Sequence, residues 1–159
     1  MSEAPLGTGT ASAADPDRQT DASQHPSAHA VAATSPRTWS RSFRATPDQV
    51  REARQFLAAV LDGSPLAADA LTCLSELATN SVLHSNSRRP GGSFAVHAGL
   101  LSGVLRVEVE DEGGPWESRD ASDGHGGRGL AVVDGLSSNW SIFSDGSGAR
   151  TIWFEISYP

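Results

Sequence analysis

The sequence predicts an α+β fold: a two-layer sandwich with a mostly antiparallel sheet and helices grouped on one face. Three observations predict it. Two helical patterns run consecutively near the start of the folded part, strand patterns come in pairs joined by tight turns, and the β-α-β alternation of a parallel sheet is missing. The resulting order is β-α-α-β-β-loop-α-β-β.

The 159 residues leave room for one domain and a tail. Residues 1–36 are mostly Ala, Ser, Thr, Pro and Gly with no aromatic. Such a segment cannot bury enough apolar surface to offset its ordering entropy, so it reads as a disordered tail, with the domain spanning 37–159. Trp39 to Ala45 alternates weakly and gives a first strand. Thr46-Pro47-Asp48-Gln49 carries helix-start chemistry: Thr46 as N-cap, Pro47 at the first helical position and Gln49 as the reciprocal capping-box residue. Val50, Ala53, Leu57, Val60 and Leu61 then recur at helical spacing over about 47–62, and Asp62-Gly63 ends the helix. Ser64-Pro65 repeats the start signal for a second helix running to about Ser85. Its stripe of Leu66, Ala70, Leu74, Leu77 and Ser81 marks a buried face, and Glu76, Asn80 and His84 form a second row. Phe94-Val96-Ala98 and Leu105-Val107-Val109 alternate as two strands joined at Ser102-Gly103. A glycine-rich stretch, 111–129, precedes a short helix over about 129–135. Strands at 139–144 and 150–157, joined by Asp145-Gly146-Ser147-Gly148, close the order.

Composition excludes several functions. The net charge of −7 and pI near 5.1 argue against duplex nucleic-acid binding, which needs a basic face. All twelve basic side chains are Arg, so the lysine of a P-loop is missing and phosphates must be held by backbone N–H groups, a metal ion or Arg. The single Cys73 permits neither an internal disulfide nor a cysteine zinc cluster, which fits a cytoplasmic setting. No signal-peptide pattern and no apolar run of membrane-spanning length is present.

Three places carry candidate chemistry. Glu76 and Asn80 lie four apart and project to one side of the second helix. An amide oxygen can ligate Mg²⁺ and a carboxylate one turn earlier can accept a proton, though a solvated helix face has the same look. Asp111 ends a buried-type strand just before Glu112-Gly113-Gly114. There a carboxylate can accept from an exocyclic amine while glycine lets a ring lie on the backbone; a plain turn reads the same way. Gly124 to Gly129 leads into a helix and offers consecutive N–H groups to an anion, although many such loops are only connectors.

Taken in order, these motifs resemble the GHKL (Bergerat-fold, histidine-kinase-like) ATPase superfamily, in particular its small actinobacterial branch of anti-sigma factors and serine/threonine kinases. Residues 76–84 (ELATNSVLH) are similar to its N box, 109–113 (VEDEG) to its first glycine box, 127–130 (GRGL) to its second, and 148–153 (GARTIW) to its closing element. The similarity runs over about 38–158. It implies that Asn80 ligates a Mg²⁺ bridging the phosphates of ATP and that Asp111 reads the adenine amine. It also implies that Gly113 lets the base pack and that Gly127, Arg128, Gly129 and Leu130 line the phosphates. Thr151 would sit near the adenine and Asp111, and Glu76 would be the general base. The implied activity is Mg²⁺-ATP-dependent phosphorylation of a STAS-type anti-anti-sigma protein by a cytoplasmic anti-sigma factor or related switch. The implied partners are that protein and a sigma factor, with a homodimer as the expected assembly. The alternative is a regulator that binds ATP without catalysis. Pro115 stands where the family often has another glycine, and the lid, about 114–126, is short.

Overall fold

The computed structural model describes residues 35–114 and 128–158. The tail expected over 1–36, all but its last two residues, lies outside them, as do Gly127 and the lid from 115 onward. The described residues belong to one unit, Thr34–Pro159. Its elements are β1 (Arg37–Arg44), α1 (Pro47–Val60), α2 (Ala67–His84), a 3₁₀ turn (Asn86–Arg88), β2 (Ser93–Leu101), β3 (Val104–Asp111), α3 (Arg128–Leu136), β4 (Asn139–Ser144) and β5 (Arg150–Ser157). The five strands form one sheet in the order β1-β2-β3-β5-β4, every neighbouring pair antiparallel. Strand pairing therefore follows the predicted α+β class.

The pleat divides each strand between two faces. Leu105, Val107 and Val109 of β3 and Ile152, Phe154 and Ile156 of β5 are buried against the helices. Arg106, Glu108 and Glu155 occupy the other face, where Arg106 bonds Glu108 at 2.7 Å and Glu155 at 3.0 Å and lies 3.8 Å from the Trp153 ring centroid. Charged and polar side chains on one face and aliphatic rows on the other explain why, among the described residues, only one side of the sheet carries helices. The β2–β3 connection is a two-residue turn with Ser102 at φ 50° and Gly103 at φ 79°, the mirror-image geometry that matches strand twist.

The stripe on α2 is buried as its spacing predicts: Ala70, Leu74, Leu77 and Ser81 have no exposed surface and Leu66 very little. Ala53 and Leu57 of α1 pack into the same core, with Phe43 stacked on Phe94 at 5.4 Å and edge-on to Phe56 at 6.1 Å. Each such fully buried large side chain contributes roughly 1.5–3 kcal/mol.

Two helix starts differ from the sequence expectation. Thr46 has the extended backbone of an N-cap, φ −126° and ψ 151°, but its side chain caps nothing. Its hydroxyl instead bonds the Asp48 carboxyl and holds that group below its ordinary range, while Gln49 Nε2 donates to Asp48 Oδ2 at 3.3 Å. Pro47 already removes one orphan N–H, so the reciprocal box has less to satisfy. The second start comes later than Ser64-Pro65. Ser64 Oγ accepts from Leu66 N–H at 3.2 Å and holds a preliminary turn, and regular helix begins at Ala67.

Candidate functional site

α2 lies under the centre of the sheet and presents Glu76 and Asn80, both half-buried, on the side adjoining α3. A Cβ added to Gly129 would stand 2.7 Å from Glu76 Oε2. The first turn of α3 thus approaches the Glu76 carboxylate as closely as a residue without a side chain allows. Arg128 opens α3 and is exposed, while Leu130 packs against the core. The N-box acid and Gly129 of the second glycine box are therefore neighbours.

One residue after Asn80, the fully buried Ser81 donates from its hydroxyl to Asp111 Oδ2 at 2.7 Å. This bond ties the helix to the end of β3. Asp111 continues the inward row of Leu105, Val107 and Val109, so its carboxylate lies on the helix side of the sheet. Gly113 N–H donates to Asp111 Oδ1 at 2.9 Å. Gly113 itself has φ 68°, and a Cβ there would fall 2.1 Å from the Gly148 carbonyl oxygen, so the end of β3 and the β4–β5 turn meet backbone to backbone. The Gly113 carbonyl accepts from Asn86 N–H at 2.7 Å, and Glu112 N–H donates to Ser87 Oγ at 2.9 Å. These bonds fix the first glycine box from below.

The cross-strand partner of Asp111 is Arg150. Its Nε donates to Oδ1 at 3.2 Å and its Nη2 to Oδ2 at 2.6 Å, a two-pronged ion pair in which the Asp111 side chain is 0% and the Arg150 side chain 5% exposed. With Ser81 and Gly113 this gives the carboxylate four donors, matching its roughly four acceptor positions. No buried side-chain nitrogen or oxygen among the described residues lacks a partner.

Thr151 pairs with Glu110, one step from the Asp111–Arg150 rung, and the pleat turns it to the opposite face of the sheet. Arg150 is the β5 residue directly beside Asp111. His84 is exposed at the end of α2, and His97 bonds Ser40 Oγ at 2.8 Å on the charged face. Among the described residues no group of three His, Cys, Asp or Glu side chains converges on a metal position, and no helix is long and apolar enough to cross a membrane.

Ser81 and Arg150 are site residues that the motif reading passed over. Each had a signal in the sequence. Ser81 is the polar member of an otherwise apolar stripe, and Arg150 leads the inward-facing row Ile152, Phe154, Ile156. A polar group in a buried row needs a partner.

The sequence profile of the histidine kinase-like ATPase domain matches residues 43–155. Solved structures match as well. Among them is the crystal structure of the RsbU and RsbW domains of Rv1364c from Mycobacterium tuberculosis, similar with a TM-score of 0.60 and 25% identity over 77% of this chain. The chain spans 33% of the length of that one. No curated protein matches the sequence.

Proposed function

The chain belongs to the histidine kinase-like ATPase domain family, and from that premise we propose that it is a Mg²⁺-ATP-dependent serine/threonine protein kinase. It acts as an anti-sigma factor or related partner-switching regulator and phosphorylates a STAS-type anti-anti-sigma protein. The observation that carries the reading is the closeness of Glu76 to Gly129: the only carboxylate of the N box lies against the opening of the α3 helix. A helix N-terminus offers free N–H groups and a positive dipole end to phosphates. Membership of the family and the resemblance of the motifs support the nucleotide and the reaction class.

In this reading the phosphates lie between α2 and the first turn of α3, with the base toward Asp111. Asn80 is half-buried and one helical turn beyond Glu76. A single amide oxygen suits Mg²⁺, which keeps several waters and takes only one or two protein ligands beside phosphate oxygens. When bound, the ion neutralises phosphate charge. Glu76 accepts the proton of a serine or threonine hydroxyl of the partner protein. That oxygen forms a bond to the γ-phosphorus, the bond from phosphorus to the β–γ bridging oxygen breaks, and its electron pair leaves with ADP.

Transfer of labelled γ-phosphate from ATP to a cognate STAS protein tests the reading. Glu76→Gln is expected to lower transfer by a factor of about 10²–10⁴, the ordinary contribution of a general base, while sparing ATP binding. Undiminished transfer would remove Glu76 from that role. A second reading, ATP-dependent partner binding without catalysis, uses the same pocket and differs only in the transfer step. ATP binding with no transfer to any cognate partner would select it.

A further inference from the structure

We propose that Arg150 is a displaceable occupant of the base-reading carboxylate, so that a purine amine enters only by taking the place of its guanidinium on Asp111. The inference rests on the reading of Asp111 as the base contact. The Asp111 side chain is 0% exposed, and its four donors leave no acceptor position open. Any exocyclic amine that is to donate to this carboxylate must therefore remove one of them.

The four donors are not equally movable. Gly113 N–H is held by a backbone at φ 68° packed against the Gly148 carbonyl, with its own carbonyl bonded to Asn86. Ser81 is fully buried on α2, and its carbonyl in turn accepts from Ser85 Oγ at 2.6 Å. Arg150 is the donor on a long, flexible side chain, and it supplies two of the four bonds. It stands at the first position of β5, just after the exposed 145–148 turn, whose Gly146 and Gly148 have φ of 80° and 101°. Releasing Arg150 frees a position on each carboxylate oxygen at once; releasing Ser81 frees one on Oδ2 only.

The exchange is unequal. A charge-assisted two-pronged pair gives way to a neutral amine, which returns less. Apparent affinity then falls by the fraction of molecules in which Arg150 is off Asp111. Arg150 thereby sets nucleotide affinity, and it does so only for bases that carry the amine.

Calorimetric titration of the full chain with Mg²⁺-ATP and with purine riboside triphosphate, which lacks the 6-amino group, tests this. Arg150→Lys keeps the cation but cannot make the two-pronged contact, and it is expected to tighten ATP by about tenfold while leaving the amine-free nucleotide within about twofold. Arg150→Gln should act in the same direction, with urea unfolding used to confirm that it folds. A wild-type readout needs no variant: the Arg150 Nε–H resonance should shift and exchange faster with water on saturation with ATP, but not with the amine-free nucleotide. ATP binding equal to or weaker than wild type in a folded Arg150→Lys, or an Arg150 resonance unmoved by ATP, overturns the role of Arg150 and leaves the nucleotide reading intact. Tightening in Ser81→Ala alone assigns the displaced donor to the hydroxyl and overturns the proposal equally. No nucleotide binding by wild type or any variant removes both readings.

Discussion

Removing one member of the Asp111–Arg150 pair should be among the most destabilising changes open to this domain. Consider Asp111→Asn. The amide oxygen, placed at Oδ1, keeps Gly113 N–H at 2.9 Å and Arg150 Nε at 3.2 Å. The amide nitrogen then stands at Oδ2, where Arg150 Nη2 points at it from 2.6 Å, donor against donor. Ser81 can rotate its hydroxyl to accept, so that bond survives in reverse. What does not survive is the charge balance of a guanidinium only 5% exposed. Breaking a buried pair from one side costs about 3–5 kcal/mol, because the remaining ion is left uncompensated. That compares with a total stability of roughly 5–15 kcal/mol for a domain. At roughly 3–5 °C per kcal/mol for a domain of this size, the midpoint should fall by about 10–20 °C. Urea unfolding at constant m-value is the assay. The double variant Asp111→Asn, Arg150→Met should recover most of the loss, since it removes the uncompensated guanidinium while the amide still serves Gly113 N–H and Ser81. A single-variant cost below about 1 kcal/mol, or a double-variant cost equal to the sum of the singles, would refute the reasoning, because coupled partners cannot be additive.

The same geometry sets three further outcomes. Gly113→Ala puts a Cβ 2.1 Å from the Gly148 carbonyl at φ 68°, so stability should drop by roughly 2–3 kcal/mol or more in urea unfolding, with backbone rather than side chain forced to move. Gly129→Ala meets only the flexible end of Glu76, Oε2 at 2.7 Å; unfolding stability should change by less than about 1 kcal/mol, while phosphate transfer falls because the carboxylate is pushed aside. Cys73 is fully buried, and desolvation first, then the charge of Asp69, pushes its thiol from 9.0 up to about 11. Native protein at pH 8 should resist iodoacetamide and react once unfolded. The raised value adds stability that is complete below pH 9 and is lost as pH rises toward 11, about 2–3 kcal/mol by unfolding measurements across that window.

Much of the fold was legible because burial along α2, β3 and β5 is periodic. The α2 stripe from Leu66 to Ser81 and the alternation in β3 are one-dimensional records of which face meets the core. Helix starts were less legible. Thr46 has the residue type and backbone of a cap, yet Asp48 captures its hydroxyl, a choice between two nearby partners that residue types do not decide. The beginning of α2 at Ala67 rather than at Pro65 reflects a turn held by Ser64.

The site divides in the same way. The order of residues was enough to show which elements exist, which face of α2, β3 and β5 is buried, and that Glu76, Asn80, Asp111 and the glycines belong to motifs of one family. Those are properties of spacing and residue type. Which side chains touch is a matter of how the elements pack. That packing set Gly129 against Glu76, turned Thr151 away, and brought Arg150 onto Asp111 across 39 residues of chain. Strand register chose between Arg150 and Thr151. A shift of one residue would have exchanged them, because the pleat sends alternate side chains to opposite faces and register depends on the partner strand.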